Sequence, residues 1–217
     1  MPAPISGIDI LKTMIRSGEN AIDEFSLISG GGWFGEAPEY FLTTHVSRSI
    51  KNQENVCALL EVSVDQTRKD AGASRRGRAA RHERRKGRFD IVLYWANWAP
   101  RAAVEIKSPI LSASKERIVP DVERLSSALR ANEDSTFQFG VFLFYSFVSA
   151  PKRKHINASQ RMRELLGRIK EIAIEPANRL CADVDLVSGR VHRCNIGAWS
   201  IASLVFTRAG GMRSFRS

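Results

Sequence analysis

Long apolar runs are missing from this sequence. The longest, Val141 to Val148, is far short of the roughly 20 apolar residues that a membrane-spanning helix needs. The segment from Met1 to Asn20 has apolar residues at helical spacing, but charged residues interrupt it. It therefore lacks the unbroken apolar core of a secretory signal. We expect no membrane partner.

Cysteine is also scarce. Cys57, Cys181 and Cys194 are too few and too scattered for a disulfide framework or a zinc site. This usage fits a reducing compartment, and we expect a cytoplasmic location.

Acidic residues are in deficit. The chain has 33 Lys and Arg residues against 23 Asp and Glu residues, a formal net charge of +10 in 217 residues. Such an excess favours a polyanionic partner, and with a membrane excluded we expect nucleic acid. The length suffices for one domain with a full hydrophobic core.

The first 32 residues are predicted to be a helical extension. Apolar residues recur at helical spacing over Ile8–Ile15, and the run Ser29–Gly32 is a flexible joint. Residues 33–217 then form the main domain.

Hydrophobic periodicity predicts the order of elements in that domain. The core elements are a helix at Pro38–Asn52, strands at Val56–Val64, Phe89–Trp95 and Arg101–Lys107, a helix at Glu116–Arg130 and a strand at Gln138–Val148. A polar, arginine-rich loop occupies Gln66–Gly87. A helix at Ala158–Ile174, strand-like pieces at Leu180–Val187 and Val191–Cys194, and a basic tail follow. The fold class is α/β, with a mixed sheet flanked by helices.

Three charged residues interrupt the otherwise apolar hairpin of the second and third strands. If Trp95 and Pro100 flank its turn, counting back places Asp90 opposite Glu105. Lys107 shares the face of Glu105, because side chains alternate along a strand. Facing carboxylates destabilise a sheet unless positive charge sits between them. Hard divalent cations such as Mg²⁺ prefer oxygen ligands and suit such a pair.

This constellation predicts metal-assisted hydrolysis of a phosphodiester, with Lys107 holding water or stabilising charge on a phosphate. The alternative is a surface hairpin with an exposed Glu–Lys pair. The apolar flanks and the facing carboxylates favour the functional interpretation.

An Asp on one strand and Glu-X-Lys on its hairpin partner, within an αβββαβ order, resemble the PD-(D/E)XK nuclease superfamily, which has the restriction-endonuclease-like fold. The resemblance covers roughly Glu36 to Val148, with Phe89 where many members have proline. It implies that Asp90 and Glu105 ligate Mg²⁺, for which Mn²⁺ can substitute, and that Lys107 orients or activates water.

The same resemblance implies an acidic residue on the first core helix that completes the site. Glu39 is the first choice and Glu36 the second. Ile106, between Glu105 and Lys107, is counted with the metal ligands. Glu39 follows Pro38 in a first helical turn, where the helix dipole alone favours an acidic residue.

Basic residues cluster in the loop that leads to the second strand. They are Arg75, Arg76, Arg78, Arg81, Arg84, Arg85, Lys86 and Arg88. No aromatic residue is interleaved, so we expect contacts with phosphates rather than base stacking, unless the run is simply solvated. A shorter basic run spans Lys152–His155. Asp121 and Arg124 are expected to form an ion pair within their helix.

The sequence thus predicts a Mg²⁺-dependent nuclease that hydrolyses phosphodiester bonds, and we expect it to be a DNA endonuclease. One rival is a catalytically silent nucleic-acid-binding module of the same fold, and another is a phosphodiesterase for RNA or small molecules. Homodimerisation is compatible with the sequence.

Overall fold

In the part of the chain that the computed structural model describes there are five α-helices and seven strands. The model describes residues 5–51, 53, 56–72, 87–129, 135–150, 157–212 and 215. The helices are α1 (Gly7–Ile28), α2 (Glu39–Lys51), α3 (Val64–Asp70), α4 (Lys115–Leu129) and α5 (Ala158–Arg179). The strands are β1 (Val56–Ser63), β2 (Arg88–Trp95), β3 (Pro100–Ile110), β4 (Phe139–Ser149), β5 (Ala182–Ser188), β6 (His192–Cys194) and β7 (Gly197–Arg208).

All seven strands join one mixed sheet in the order β1-β2-β3-β4-β7-β5, with β6 paired to β7. The β3–β4 pair is parallel, and the other pairs are antiparallel. A parallel pair needs a crossover connection, and α4 supplies it. The predicted α/β class with a mixed sheet between helices is confirmed.

The sheet is buried on both faces. On one face α1 and α2 pack through residues such as Leu11 and Leu42 against Leu143 of β4. On the other face α4 and α5 pack through residues such as Leu125 against Phe142, the neighbour of Leu143 in the chain. A strand covered on both faces has nearly continuous apolar sequence, which is why β4 lacks polar alternation.

Two predictions of secondary structure are wrong. The segment from Gln66 was expected to be a loop, but residues up to Asp70 belong to helix α3. Ser63 caps this helix, because its side chain accepts a 3.5 Å hydrogen bond from the Gln66 backbone N–H. The basic tail contains a twelve-residue strand, β7, which pairs with β4 from Gly197 to Thr207. Helix α1 also runs to Ile28, beyond the predicted Ile15, and its inner face contributes to the core.

The division of the chain at residue 32 stays a prediction, as does the cytoplasmic location. Among the described residues, no helix is both long and apolar enough to cross a membrane.

Replacing either of two glycines with alanine should change the stability of the fold, and the two changes should have opposite signs. A Cβ at Gly197 would lie 2.0 Å from the backbone oxygen of Val148, whereas a Cβ at Gly167, inside α5, would meet no atom within 4 Å. We expect Gly197→Ala to lower the free energy of unfolding by about 1–3 kcal/mol, because backbone must move. Gly167→Ala should raise it by about 0.5–1 kcal/mol through helix propensity.

Urea denaturation of the full chain measures both changes. A Gly197→Ala variant as stable as the wild type would contradict the close approach of β7 to β4 at this position.

Candidate active site

The predicted catalytic residues lie at the adjoining ends of β2 and β3. The strands pair with Ile91 opposite Val104, so the next step of the same register places Asp90 beside Glu105. A bulge shifts the register between Leu93 and Tyr94, nearer the turn. The predicted register therefore holds in the middle of the hairpin and not at its turn.

The Asp90 side chain is bonded directly to the partner strand. Its Oδ2 atom accepts a hydrogen bond of 2.6 Å from the Ile106 backbone N–H. Burial raises the pKa of Asp90, although this hydrogen bond and the charge of Lys107 act in the opposite direction. The neighbouring carboxylates of Glu39 and Asp121 raise that pKa further. Burial is therefore the main reason why the ionised form of Asp90 is disfavoured.

Glu105 is the most deeply buried group of the site, with 2% of its surface exposed. Arg124 of α4 reaches across from the helix layer and donates a hydrogen bond from Nη1 to Glu105 Oε1. Burial nevertheless outweighs the Arg124 charge, and the pKa of Glu105 lies well above its usual range. One guanidinium does not fully compensate this carboxylate.

Lys107 lies between two further carboxylates. Its Nζ atom is 3.5 Å from Glu39 Oε1 and 3.5 Å from Asp121 Oδ2. Burial lowers the pKa of Lys107, but the charges of Asp121, Glu39, Asp90 and Glu105 outweigh it, and the net pKa is raised. Lys107 is therefore held as the ammonium ion, which can donate hydrogen bonds but cannot accept a proton.

Glu39 lies at the start of α2, next to Lys107. It is the first residue of α2, and its Oε2 atom accepts a 3.0 Å hydrogen bond from the Ser108 backbone N–H, just beyond Lys107. Glu36 is exposed on a short 3-10 helix, Phe34–Glu36, that precedes α2. The structure thus brings Glu39 to the cluster.

Asp121 and Arg124 were expected to form an ion pair within their helix. They do form an ion pair, at 3.4 Å between Asp121 Oδ1 and Arg124 Nη2. Both also reach residues of β3: Arg124 contacts Glu105, and Asp121 contacts Lys107. The expectation was correct for the pair but missed their place in the site. The only signal in the sequence is two charges on the face of α4 that also carries Val122 and Leu125.

Six side chains therefore form one cluster, which we call the acidic cluster: Glu39, Asp90, Glu105, Asp121, Lys107 and Arg124. With every carboxyl group ionised, four carboxylates and two cations would carry a formal excess of two negative charges, and the raised pKa values of Asp90 and Glu105 reduce that excess in the metal-free protein. This excess is local, because the chain as a whole is strongly basic.

The donor set of the acidic cluster fits a hard divalent cation in its chemistry. It offers carboxylate oxygens, and two of its carboxyl groups, those of Asp90 and Glu105, have pKa values raised by burial. Among the described residues, however, no three Asp, Glu, His or Cys side chains are already arranged to hold one ion. Arg124 contacts the carboxylates of Glu105 and Asp121, and Lys107 contacts those of Glu39 and Asp121. A bound cation would have to share these carboxylates with the two side chains or displace the side chains from them.

The basic loop before β2 falls largely outside the described residues. The residues of this loop that are not described are Arg75, Arg76, Arg78, Arg81, Arg84, Arg85 and Lys86. The shorter basic run, Lys152–His155, is also outside the described residues. Arg88 is the first residue of β2, and its side chain is exposed two residues before Asp90.

Comparison with known proteins found no matching family model, no similar curated protein and no similar solved structure. The resemblance to the PD-(D/E)XK nucleases therefore rests on this chain's own residues and order of elements.

The raised pKa of Asp90 gives a prediction for the metal-free protein. The folded state binds this proton more tightly than the unfolded chain does, so stability is lost as the pH rises above the ordinary Asp range. Asp90→Asn removes that ionisation, and its amide oxygen can still accept the Ile106 N–H. In EDTA we expect the variant to match the wild type near pH 4 and to be more stable at pH 7.

Denaturation curves across this pH range provide the measurement. Asp185→Asn is the matched control, because Asp185 forms an ion pair with Lys170 at 3.0 Å. Removing this ion pair should not make the variant more stable than the wild type at pH 7. Equal pH dependence of wild type and Asp90→Asn would show that Asp90 carries no excess negative charge.

Proposed function

We propose that this protein is a divalent-metal-dependent nuclease of the PD-(D/E)XK type that acts on DNA as an endonuclease. The observation that carries the proposal is the acidic cluster: four carboxylates around Lys107 with an unbalanced negative charge. A divalent cation would balance the charge of these carboxylates and would link them to the phosphates of a polyanion that the basic protein attracts.

The order of elements supports this assignment. Helix α2, strands β1, β2 and β3, helix α4 and strand β4 follow one another as in an αβββαβ core, with α3 inserted after β1. Strand β4 is parallel to β3 on the side away from β2. The rest of the chain, from α5 onward, extends the sheet beyond β4 through β7 and β5.

Asp90, Glu105 and Glu39 are the residues that would hold Mg²⁺, or Mn²⁺ in its place. Ile106 could contribute only its backbone carbonyl, because its side chain is buried against the layer of α1 and α2. When bound, such a cation supplies an activated water and neutralises charge on the scissile phosphate. Asp121 and Arg124 touch the other members of the cluster, so we assign them a positioning role.

Lys107 has the role of an electrostatic donor. Its raised pKa keeps it protonated, so it is suited to orienting water or to stabilising charge that develops on the phosphate, and not to removing a proton. Its side chain is 26% exposed and that of Glu39 is 37% exposed. Substrate therefore reaches the cluster from the side of these two residues.

A polyanionic substrate fits the rest of the chain. The net charge is +10, and the arginine-rich loop ends at exposed Arg88, on the strand that carries Asp90. We propose that this loop contacts phosphates of the nucleic acid without reading its sequence.

The first test of the proposal separates metal binding from chemistry. Asp90→Asn and Glu105→Gln remove a ligand charge, so both should lose Mg²⁺ affinity and cleavage together. Lys107→Ala removes no ligand, so metal should still bind while the cleavage rate falls by about 10²–10³, the scale for one preorganised electrostatic group. The measurements are a calorimetric metal titration and a cleavage assay on plasmid, single strands and RNA, with Mg²⁺ or EDTA.

Lys170→Ala is the matched control, because it also removes a lysine from an ion pair, that with Asp185. It should bind metal and cut at the wild-type rate. Normal metal binding and cleavage by Asp90→Asn and Glu105→Gln would place the site elsewhere. Nucleic-acid binding without cleavage of any substrate would favour a silent binding module.

The second test concerns the basic loop. Replacing Arg75, Arg76 and Arg78 with Gln should weaken binding to all DNA sequences alike. Each lost phosphate contact should reduce the slope of log K against log salt by about 0.9 for duplex DNA. Titrations of labelled duplex at several salt concentrations measure this slope.

A control variant removes the same charge elsewhere. Arg163, Arg168 and Arg193 are exposed residues of α5 and β6, and their triple replacement by Gln should leave the slope close to the wild-type value. If both triple variants change the slope equally, the loop acts only through the overall charge of the protein.

A further inference from the structure

Two large apolar side chains are exposed beside the acidic cluster. Tyr40 directly follows Glu39 in α2, and its side chain is 52% exposed. Leu111 directly follows the last residue of β3, and its side chain is 48% exposed. Neither residue is part of the hydrophobic core on either face of the sheet. Packing within the described fold therefore does not explain why these two positions are apolar.

One hydrogen bond joins the two chain segments that carry these side chains. Glu39 Oε2 accepts it from the Ser108 backbone N–H at 3.0 Å. Since consecutive Cα atoms are about 3.8 Å apart, the Tyr40 Cα atom lies about 4 Å from that of Glu39. The Leu111 Cα atom lies at most about 11 Å from that of Ser108. Because Glu39 Oε1 is also 3.5 Å from Lys107 Nζ, both apolar residues adjoin the acidic cluster.

Tyr40 and Leu111 lie on the side from which the acidic cluster is accessible. The side chains of Glu39 and Lys107 are 37% and 26% exposed, whereas that of Glu105 is buried. A phosphate therefore approaches beside Glu39 and Lys107. Each nucleotide advances a strand by at least about 3.4 Å. The nucleotides that pass Tyr40 and Leu111 are consequently only a few positions from that phosphate.

The bases of that strand are the partners that suit an exposed aromatic ring. A tyrosine ring can stack on the π-face of any base. Inside a fully paired duplex the neighbouring base pairs cover both faces of each base, so a stacking ring needs an unpaired nucleotide. The net charge of +10 also favours a nucleic acid over a second copy of this chain, which would carry the same charge.

We propose that Tyr40 and Leu111 form a platform for unpaired bases next to the cleavage site, and that the substrate is DNA with unpaired nucleotides, such as a bulge or a junction. Tyr40 supplies the ring on which a base stacks, and Leu111 extends the apolar surface from a second chain segment. This inference rests on the proposed nuclease activity. It adds the substrate class, which the acidic cluster alone does not specify.

Binding to two matched DNAs, with Ca²⁺ in place of Mg²⁺, tests the substrate class. One DNA is a fully paired duplex, and the other is the same duplex with a short central run of unpaired nucleotides, so that their ends are identical. The wild type should bind the second DNA about 5- to 100-fold more tightly, the range for stacking of one base on an aromatic ring. Equal affinity in fluorescence anisotropy titrations would overturn the proposal.

Three variants test the residues. Tyr40→Ala should lose most of this preference and bind the fully paired duplex as the wild type does. Tyr40→Phe keeps the ring and should keep the preference, whereas Leu111→Ala should lose a smaller part because leucine has no ring. Both side chains are exposed and outside the core, so the variants should fold. An unchanged preference in Tyr40→Ala, or an equal loss of affinity for both DNAs, would overturn the assignment.

Trp98→Ala is the matched control. Trp98 is 62% exposed in the turn between β2 and β3, at the other end of the hairpin from Asp90 and Glu105, and its replacement should leave the preference unchanged. A loss of the preference in Trp98→Ala as large as that in Tyr40→Ala would overturn the assignment.

Abasic nucleotides in the unpaired run test stacking directly. They should reduce the wild-type affinity to that of Tyr40→Ala, and they should not weaken Tyr40→Ala further, because the stacking contact is then already missing. Losses that add would contradict base stacking. A wild-type dimer that becomes monomeric in Tyr40→Ala, measured by sedimentation, would show that a second copy covers the platform and would also overturn the proposal.

Cleavage of the same two DNAs with Mg²⁺ separates this inference from the proposed function. If the wild type cuts both DNAs at equal rates, the nuclease assignment stands and the base platform is wrong. If it cuts neither DNA but prefers the DNA with unpaired nucleotides, and Tyr40→Ala loses that preference, the base platform stands as a binding surface and the nuclease assignment is wrong.

Discussion

The structure of the candidate site depends on one electrostatic constraint: four carboxylates share two cations at the end of the β2–β3 hairpin. Burial raises the cost of this excess negative charge, which is why Asp90 and Glu105 hold their protons more tightly than usual. The same field keeps Lys107 charged. A divalent cation would relieve the constraint, and a bound phosphate would then find both the metal and the Lys107 ammonium nearby.

Local pattern was sufficient to predict the parts of the site that lie on one hairpin. Alternation along β3 placed Glu105 and Lys107 on one face, and counting back from the turn placed Asp90 beside Glu105. Glu39 was found only through the resemblance, because a first helical turn favours an acidic residue for local reasons. The order of the core elements followed from their hydrophobic periods, which are strong in buried strands and amphipathic helices.

Contacts between distant elements could not be predicted in this way. The i, i+3 spacing of Asp121 and Arg124 is explained by an ion pair within a helix. Only their place on the apolar face of α4 indicated that this helix packs over Glu105. Strand β7 was missed because its small polar residues, such as Ser200 and Ser203, weaken the apolar signal although the sheet buries them completely.

Crystals grown with Mn²⁺ offer the most direct test of the central claim, that the acidic cluster holds a divalent cation. Anomalous scattering from manganese locates the ion without assumptions about activity. The account predicts an anomalous peak within coordination distance of Asp90 and Glu105, about 2.0–2.3 Å for such oxygen ligands, and no peak there in Asp90→Asn. An empty cluster in crystals soaked at high Mn²⁺, or a peak that persists in Asp90→Asn, would contradict it.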